Sequence, residues 1–386
     1  MSVYTYPVTV TFDHQLRFTQ GAFELDNTIL SHVLNGGKGG AKTLVFLEKE
    51  VSDCHPGLVE KVEDYLSHHC PDMRFMGVVL VPGGEVAKND VELRTRTLDA
   101  LREAGLDRHS YVLAIGGGAF LDLIGFVSAI THRGIRLVRF PTTTLSQDDS
   151  GVGVKNGVNA YGQKNFWGTF SVPYAVINDF DFLKTLPEAE RRAGLVEAIK
   201  VSLVKDMAFF EWIEAHVDDL KRGDWEIMCK VIERSAVLHA EHIAMSGDPF
   251  EMGSSRPLDF GHWAAHKLEL LSDFSLGHGQ AVSIGIAMDV LYSSLAGYME
   301  PEEAMRVLTV LERLGLPLWD VSLDIRREDG TRAVLDGLTE FQEHLGGELT
   351  VLMLSAPGVS FDVNKVDASI VEEAIDLLQS RHEEDS

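Results

Sequence analysis

His262, His266 and His278 fall within seventeen positions of one another. His262 and His266 are four residues apart, so on a helix they share a face. Histidines at that spacing can bind zinc together. The acid of the H-E-x-x-H motif is missing, because Trp263 stands in its place. A single histidine is usually structural, but glycine flanks His262 and His278, and the grouping points to a metal. A glutamate joined to two histidines would leave a position open for substrate, the pattern of a catalytic metal site.

Glu197 and Lys200 are three residues apart with Leu195, Val196, Ala198, Ile199 and Val201 around them. A solvated ion pair is the ordinary explanation of such spacing. The apolar neighbours favour burial instead, and a buried carboxylate needs a cation or a metal. Lys155, Lys164 and Asn165 lie in a segment dense in glycine and asparagine, Gln147–Gly168. Lysines there can hold phosphate as point charges, or simply ride on an exposed loop. Adjacent Phe166 and Trp167 argue against a free loop. Gly116, Gly117 and Gly118 follow an apolar run and precede a helical one. Either they bring backbone N–H groups to a pyrophosphate or they make a tight strand-to-helix turn. The full G-x-G-x-x-G spacing is absent. Glu48, at the end of an earlier strand, is an acceptor for ribose hydroxyls or a plain surface acid.

These residues need a scaffold, and 386 residues exceed one ordinary core. Thr43–Leu47, Phe75–Val81, Tyr111–Ile115 and Arg136–Phe140 read as strands; Leu58–His69, Asp90–Ala104 and Ala119–Thr131 read as helices. That alternation predicts an α/β domain with a largely parallel sheet. From Glu188 onward the pattern turns helical: Glu188–Lys205, Asp224–Met245, His262–Leu270, Ala281–Ala296 and Pro301–Leu314, with one late strand at Leu349–Leu354. The boundary is placed near Leu186-Pro187, giving domains 1–186 and 187–386.

A net charge of −25 and a pI near 4.9 exclude a nucleic-acid footprint. Cys54, Cys70 and Cys229 suggest neither a disulfide framework nor a zinc ribbon. The tract His68-His69-Cys70 reads as a helix end rather than a metal site. Met1–Phe18 has no apolar signal core and no stretch predicts a membrane span, so the cytoplasm is expected.

Taken in order, the residues resemble the sugar phosphate cyclases, whose best-known member is 3-dehydroquinate synthase. The likeness is carried by Leu113–Phe126, Arg133-Gly134, Pro141–Ser150, Lys155, Gly162–Asn165, Phe182–Pro187, Ala193–Lys200, Gly261-His262, His266 and His278-Gly279. The resemblance implies an α/β Rossmann-like NAD domain, a mainly helical metal-binding domain and a homodimer. It implies a zinc or cobalt ion on Glu197, His262 and His278, with His266 left for substrate or proton transfer. NAD is expected against Glu48, Glu85, Lys88, Gly116–Gly118, Asp122, Thr142, Thr143, Phe182 and Thr185. Asp149, Lys155, Lys164, Asn165 and Lys200 are expected at the substrate, and Arg133 at a phosphate across the dimer. The implied reaction is a carbon–oxygen lyase cyclisation: transient oxidation by NAD, phosphate elimination, return of the hydride and aldol closure.

The departures point to the substrate. Dehydroquinate synthases carry a lysine where this chain has His239 and an asparagine where it has Asp259. A further lysine gives way to residues around Ala356-Pro357, and the carboxylate-binding arginine falls at Ser255 or Arg256. Asn156 replaces a threonine. Fewer cations and an added acid disfavour a substrate carboxylate. Sedoheptulose 7-phosphate, which lacks one, is therefore expected, giving a valiolone-type product. Alternative readings are 3-dehydroquinate synthase itself, a metal-dependent glycerol or alcohol dehydrogenase, and a non-catalytic binder of NAD or sugar phosphate.

Overall fold

The computed structural model describes residues 2–34, 39–161, 163–251, 257–345 and 347–385. The chain divides into two compact units, 1–141 with 153–179, and 142–152 with 180–386. The division expected at 186/187 therefore falls at 179/180, and the segment 142–152 belongs with the second unit.

The first unit contains β1 (Leu16–Thr19), α1 (Ile29–Leu34), β2 (Lys42–Glu48), α2 (Lys49–Cys54), α3 (Leu58–His69), β3 (Arg74–Val81), α4 (Glu85–Asn89), α5 (Val91–Glu103), β4 (Tyr111–Gly116), α6 (Gly118–Ile130), β5 (Arg136–Pro141), β6 (Lys155–Ala160), β7 (Gln163–Phe170) and β8 (Ala175–Asp179). Six strands form a parallel sheet in the order β1-β8-β5-β4-β2-β3. β4 is buried along its whole length, as an unbroken apolar run in the middle of a parallel sheet should be. From β2 the chain moves to β3 on one side, and from β4 to β5 on the other. The carboxyl ends of β2 and β4 therefore flank a topological switch point, where open α/β sheets bind ligands.

β8 escapes a reading by apolar pattern because its last residues are Asn178 and Asp179. Asp179 is buried for a reason: its carboxylate accepts from the backbone N–H groups of Gly21 and Ala22 at 3.0 and 2.7 Å. The segment Lys155–Phe170, expected as a loop, is instead an antiparallel hairpin of β6 and β7. Its asparagines serve as inward hydrogen-bonding positions rather than turn residues. Asn156 accepts from the buried Arg139 guanidinium at 2.6 Å, and a Cβ on Gly125 of α6 would sit 1.7 Å from that same Oδ1. Glycine at 125 is thus what lets α6 lie against β6.

The second unit contains a π-helical turn at Ser146–Ser150, then α7 (Glu188–Gly194), α8 (Val196–Lys205), α9 (Met207–Ala215), α10 (Val217–Lys221), α11 (Trp225–Met245), α12 (His262–Leu271), α13 (His278–Leu295), α14 (Pro301–Leu314), α15 (Asp336–Leu345), β9 (Val351–Ala356), β10 (Val359–Val363) and α16 (Ala368–Asp385). The single helix expected over Glu188–Lys205 breaks at Leu195, whose N–H bonds the carbonyl of Arg192 in a tighter turn just after Gly194. α13 is buried from Ala281 to Ser293, the signature of a central helix. It starts three residues before the expected Ala281, with His278 in its first turn. The late strand expected at Leu349–Leu354 runs over Val351–Ala356 and pairs with β10. Among the described residues no helix is long and apolar enough to cross a membrane.

Candidate metal centre and nucleotide-binding turn

Three glycine contacts between backbones position the candidate metal ligands. A Cβ on Gly279 would stand 2.4 Å from the Ala193 carbonyl, so the start of α13 presses directly on the end of α7. A Cβ on Gly285 would stand 2.0 Å from the Gly261 carbonyl, and one on Gly261 2.7 Å from the Ile286 nitrogen. Gly261 also has φ +76, a left-handed conformation that side chains resist. The residue after Gly261 is His262 and the one before Gly279 is His278, so these contacts fix both rings. Asp289 of α13 completes the clamp, accepting from Gly261 N at 3.0 Å and from Trp263 Nε1 at 2.8 Å. Burial pushes the Asp289 carboxyl up to about 7 against the pull of those two donors.

Ligand atoms of Glu197, His262 and His278 come within 4.8 Å of one another. The Nε2 atoms of His262 and His278 lie 3.8 and 3.6 Å from Glu197 Oε1. Those separations exceed a hydrogen bond, and Oε1 is fully buried with no hydrogen-bond donor among the described residues. A buried carboxylate oxygen facing two imidazole nitrogens is a donor set that fits a divalent cation. The other oxygen, Oε2, lies 2.5 Å from Lys200 Nζ. Burial opposes the Glu197 charge, but Lys200 and the neighbouring histidines prevail and hold its carboxyl down at about 2. Burial, with Lys200 nearby, pushes His262 below the usual imidazole range, which keeps its ring neutral as a ligand must be.

Lys200 Nζ also lies 3.5 Å from Asp149 Oδ1, and His239 Nδ1 lies 2.9 Å from the same oxygen. Despite burial, Lys200 and His239 hold Asp149 below the usual carboxylate range, and Asp149 and Glu197 in turn raise Lys200. A row of contacting polar groups thus runs from His239 through Asp149 and Lys200 to Glu197. Asp259, in the turn before α12, is close enough to favour the Lys200 charge. His266 is exposed, with its ring 5.4 Å from that of His262. Arg256 and Ser255 lie outside the described residues. Thr142 is buried, Thr143 exchanges hydrogen bonds with Ser146, and Thr185 donates to the Phe182 carbonyl at 3.3 Å.

In the first unit, Glu48 ends β2 and accepts from Gly117 N at 2.6 Å, in the turn after β4. Cβ atoms on Gly83 and Gly116 would stand 1.7 and 2.6 Å from its carboxylate oxygens. The turn is therefore glycine-lined around an acid at the switch point. Burial raises the Glu48 carboxyl, with the Gly117 bond opposing it. Next to it lies a polar network. Buried Lys88 reaches Asp122 at 2.8 Å and Asn165 at 2.6 Å; Glu85 accepts from Asn159 at 3.0 Å and lies 3.8 Å from Lys164. Asn165 takes a left-handed φ of 52°, which asparagine tolerates, and its N–H donates to Asn159 at 2.8 Å. Arg133 and Lys155 are exposed.

Besides Asp289, two more buried acids of the second unit went unread in the sequence. Asp148 has both carboxylate oxygens buried with no hydrogen-bond partner among the described residues and is raised well above the usual range by burial and by Glu197. Glu269 accepts from His278 Nδ1 at 3.2 Å. Only its place three residues after His266 on the same helix hinted at that.

Residues 78–193 match the family model for the 3-dehydroquinate synthase N-terminal region, and residues 194–334 that for the C-terminal region. The chain is 37% identical over 289 residues to 3-dehydroquinate synthase of Halorhodospira halophila, covering 72% of this chain and 79% of that one. It is 33% identical over 327 residues to the Acinetobacter baumannii enzyme, covering 82% and 87%. Among solved structures it is similar to ValA, a 2-epi-5-epi-valiolone synthase from Streptomyces hygroscopicus with NAD+ and Zn2+ bound. There the TM-score is 0.86 at 27% identity, over 98% of this chain and 100% of that one. A butanol dehydrogenase from Thermotoga maritima shares the fold, with a TM-score of 0.66 at 16% identity over 96% and 98%. The chain belongs to the 3-dehydroquinate synthase family, among the sugar phosphate cyclases.

Proposed function

We propose that the protein is an NAD- and zinc- or cobalt-dependent cyclase acting on sedoheptulose 7-phosphate, with phosphate eliminated and a valiolone-type carbocycle formed. The observation that carries the substrate choice is the row of polar groups around Lys200. This buried ammonium is already shared by Glu197 and Asp149, and Asp259 adds a further acid nearby. His239, where dehydroquinate synthases carry lysine, brings an imidazole in contact with Asp149 instead of a permanent cation. A substrate carboxylate would meet acids here, whereas a neutral hydroxymethyl end would not.

In this reading Glu197, His262 and His278 hold the metal. Bound there, it would supply Lewis-acid polarisation of the oxygen on the substrate carbon that is oxidised and reduced. The chain's own groups do the rest. The Gly116–Gly118 turn and the start of α6 offer backbone N–H groups to a pyrophosphate, and Glu48 accepts from a ribose hydroxyl once released from Gly117. Lys155, Lys164, Asn165 and, from a second subunit, Arg133 bind the phosphate that leaves. Lys200 and Asp149 orient the substrate hydroxyls, and His266, exposed beside His262, moves a proton. Bound at the Gly116–Gly118 turn, NAD would supply reversible hydride transfer whose oxidation and reduction cancel within a turnover, so no net NADH is expected. That separates it from the dehydrogenases that share the fold. Assaying phosphate release with and without NAD+ while following absorbance of NADH tests this: accumulating NADH would favour a dehydrogenase.

A further inference from the structure

We infer that Glu269 is a positioning residue for the metal centre, fixing the tautomer and ring angle of His278. The inference rests on Glu197, His262 and His278 being the ligands. Neutral imidazole carries one proton, and the group that accepts it decides which nitrogen is left to ligate. His278 Nδ1 lies 3.2 Å from Glu269 Oε2, and its Nε2 lies 3.6 Å from Glu197 Oε1. The buried carboxylate therefore accepts a hydrogen bond from Nδ1–H, which leaves the Nε2 lone pair facing Glu197. His262 is arranged the same way: its Nδ1 lies 3.1 Å from the Phe260 carbonyl, and its Nε2 faces the same Glu197 oxygen. One histidine is thus held by a backbone acceptor and the other by a carboxylate on the neighbouring helix, α12.

A rival reading exists, because His266, Glu269 and His278 also bring ligand atoms within 4.8 Å of one another. If His278 served the rival cluster through the Nδ1 that faces Glu269, that nitrogen could not also carry the proton. Burial decides between them. Glu197 and His262 are buried, whereas the rival cluster would rely on exposed His266.

The test is zinc affinity of the purified full-length protein, measured by competition with a chromogenic chelator, with chelator-stripped protein checked for folding by circular dichroism. Outer-shell partners of metal-bound histidines typically contribute 10- to 100-fold in affinity. Glu269→Ala should weaken zinc binding by about that factor. The near-isosteric Glu269→Gln should weaken it less, since its amide oxygen can still accept from Nδ1, and it serves if the alanine variant does not fold. His266→Ala should leave zinc affinity within about twofold, and Glu197→Ala should abolish tight binding. Wild-type zinc affinity in folded Glu269→Ala would overturn the positioning role alone. Loss of zinc from His266→Ala and Glu269→Ala, with retention in Glu197→Ala and His262→Ala, would overturn the ligand assignment itself and place the ion in the rival cluster.

Discussion

Glu197 shows how much can hang on one carboxylate. One oxygen is turned to two imidazoles and the other to Lys200. Replacing Glu197 by alanine is expected to strip the protein of metal, with zinc content by mass spectrometry falling from about one per chain to near zero. Replacing Lys200 by methionine leaves Glu197 and Asp149 without their buried cation. It should destabilise the metal-free fold by about 3–5 kcal/mol in denaturant titration. Spacing of three placed Glu197 and Lys200 on one helical face, but spacing of four paired His262 with His266, and the choice of His278 as the third ligand came from the family resemblance. The glycines beside the histidines were read as a sign of metal binding. They prove to be packing contacts, at Gly279 against Ala193 and Gly261 against Gly285. Asp148, Glu269 and Asp289 left no such mark, because their partners come from other helices or, for Asp148, are lacking among the described residues.

At the scale of elements, the site depends on how closely α12 and α13 cross. Gly285→Ala would drive a Cβ into the Gly261 carbonyl, and the helices would have to separate. A loss of about 1–3 kcal/mol is expected, accompanied by weaker zinc binding, because His262 moves with α12. Asp289 gives the same junction a pH dependence. Its folded pKa of about 7 lies above the ordinary carboxyl value, so the folded state binds its proton more tightly. The stability this contributes is full below about pH 4, declines as pH rises toward 7 and is gone above it. Comparing urea midpoints at pH 5 and pH 8, Asp289→Asn should show a smaller drop than the natural protein, by up to about 3 kcal/mol. An equal drop in both would show that Asp289 does not titrate in this way. Elements with a clean period were legible: β2 to β5 and the helices from α11 to α14 lie within a few residues of where the pattern puts them. β8 and the β6–β7 hairpin were not, since polar residues that hydrogen-bond inward read as turn formers when their partners, Gly21, Arg139 and Glu85, are distant in sequence.

At the scale of the whole molecule, the α/β and helical halves and the family were carried by motifs spread from Leu113 to His278. The substrate is a finer matter than the family. In the proposed reading it turns on His239, Asp149, Lys200 and Asp259, a few side chains in one unit. The most direct test is to incubate purified protein with NAD+ and zinc, separately with sedoheptulose 7-phosphate and with the carboxylated precursor of dehydroquinate, and to follow phosphate release and carbocycle formation. Phosphate and a valiolone-type product from sedoheptulose 7-phosphate, with no accumulation of NADH, is the expected result. Turnover of the carboxylated sugar alone would contradict it.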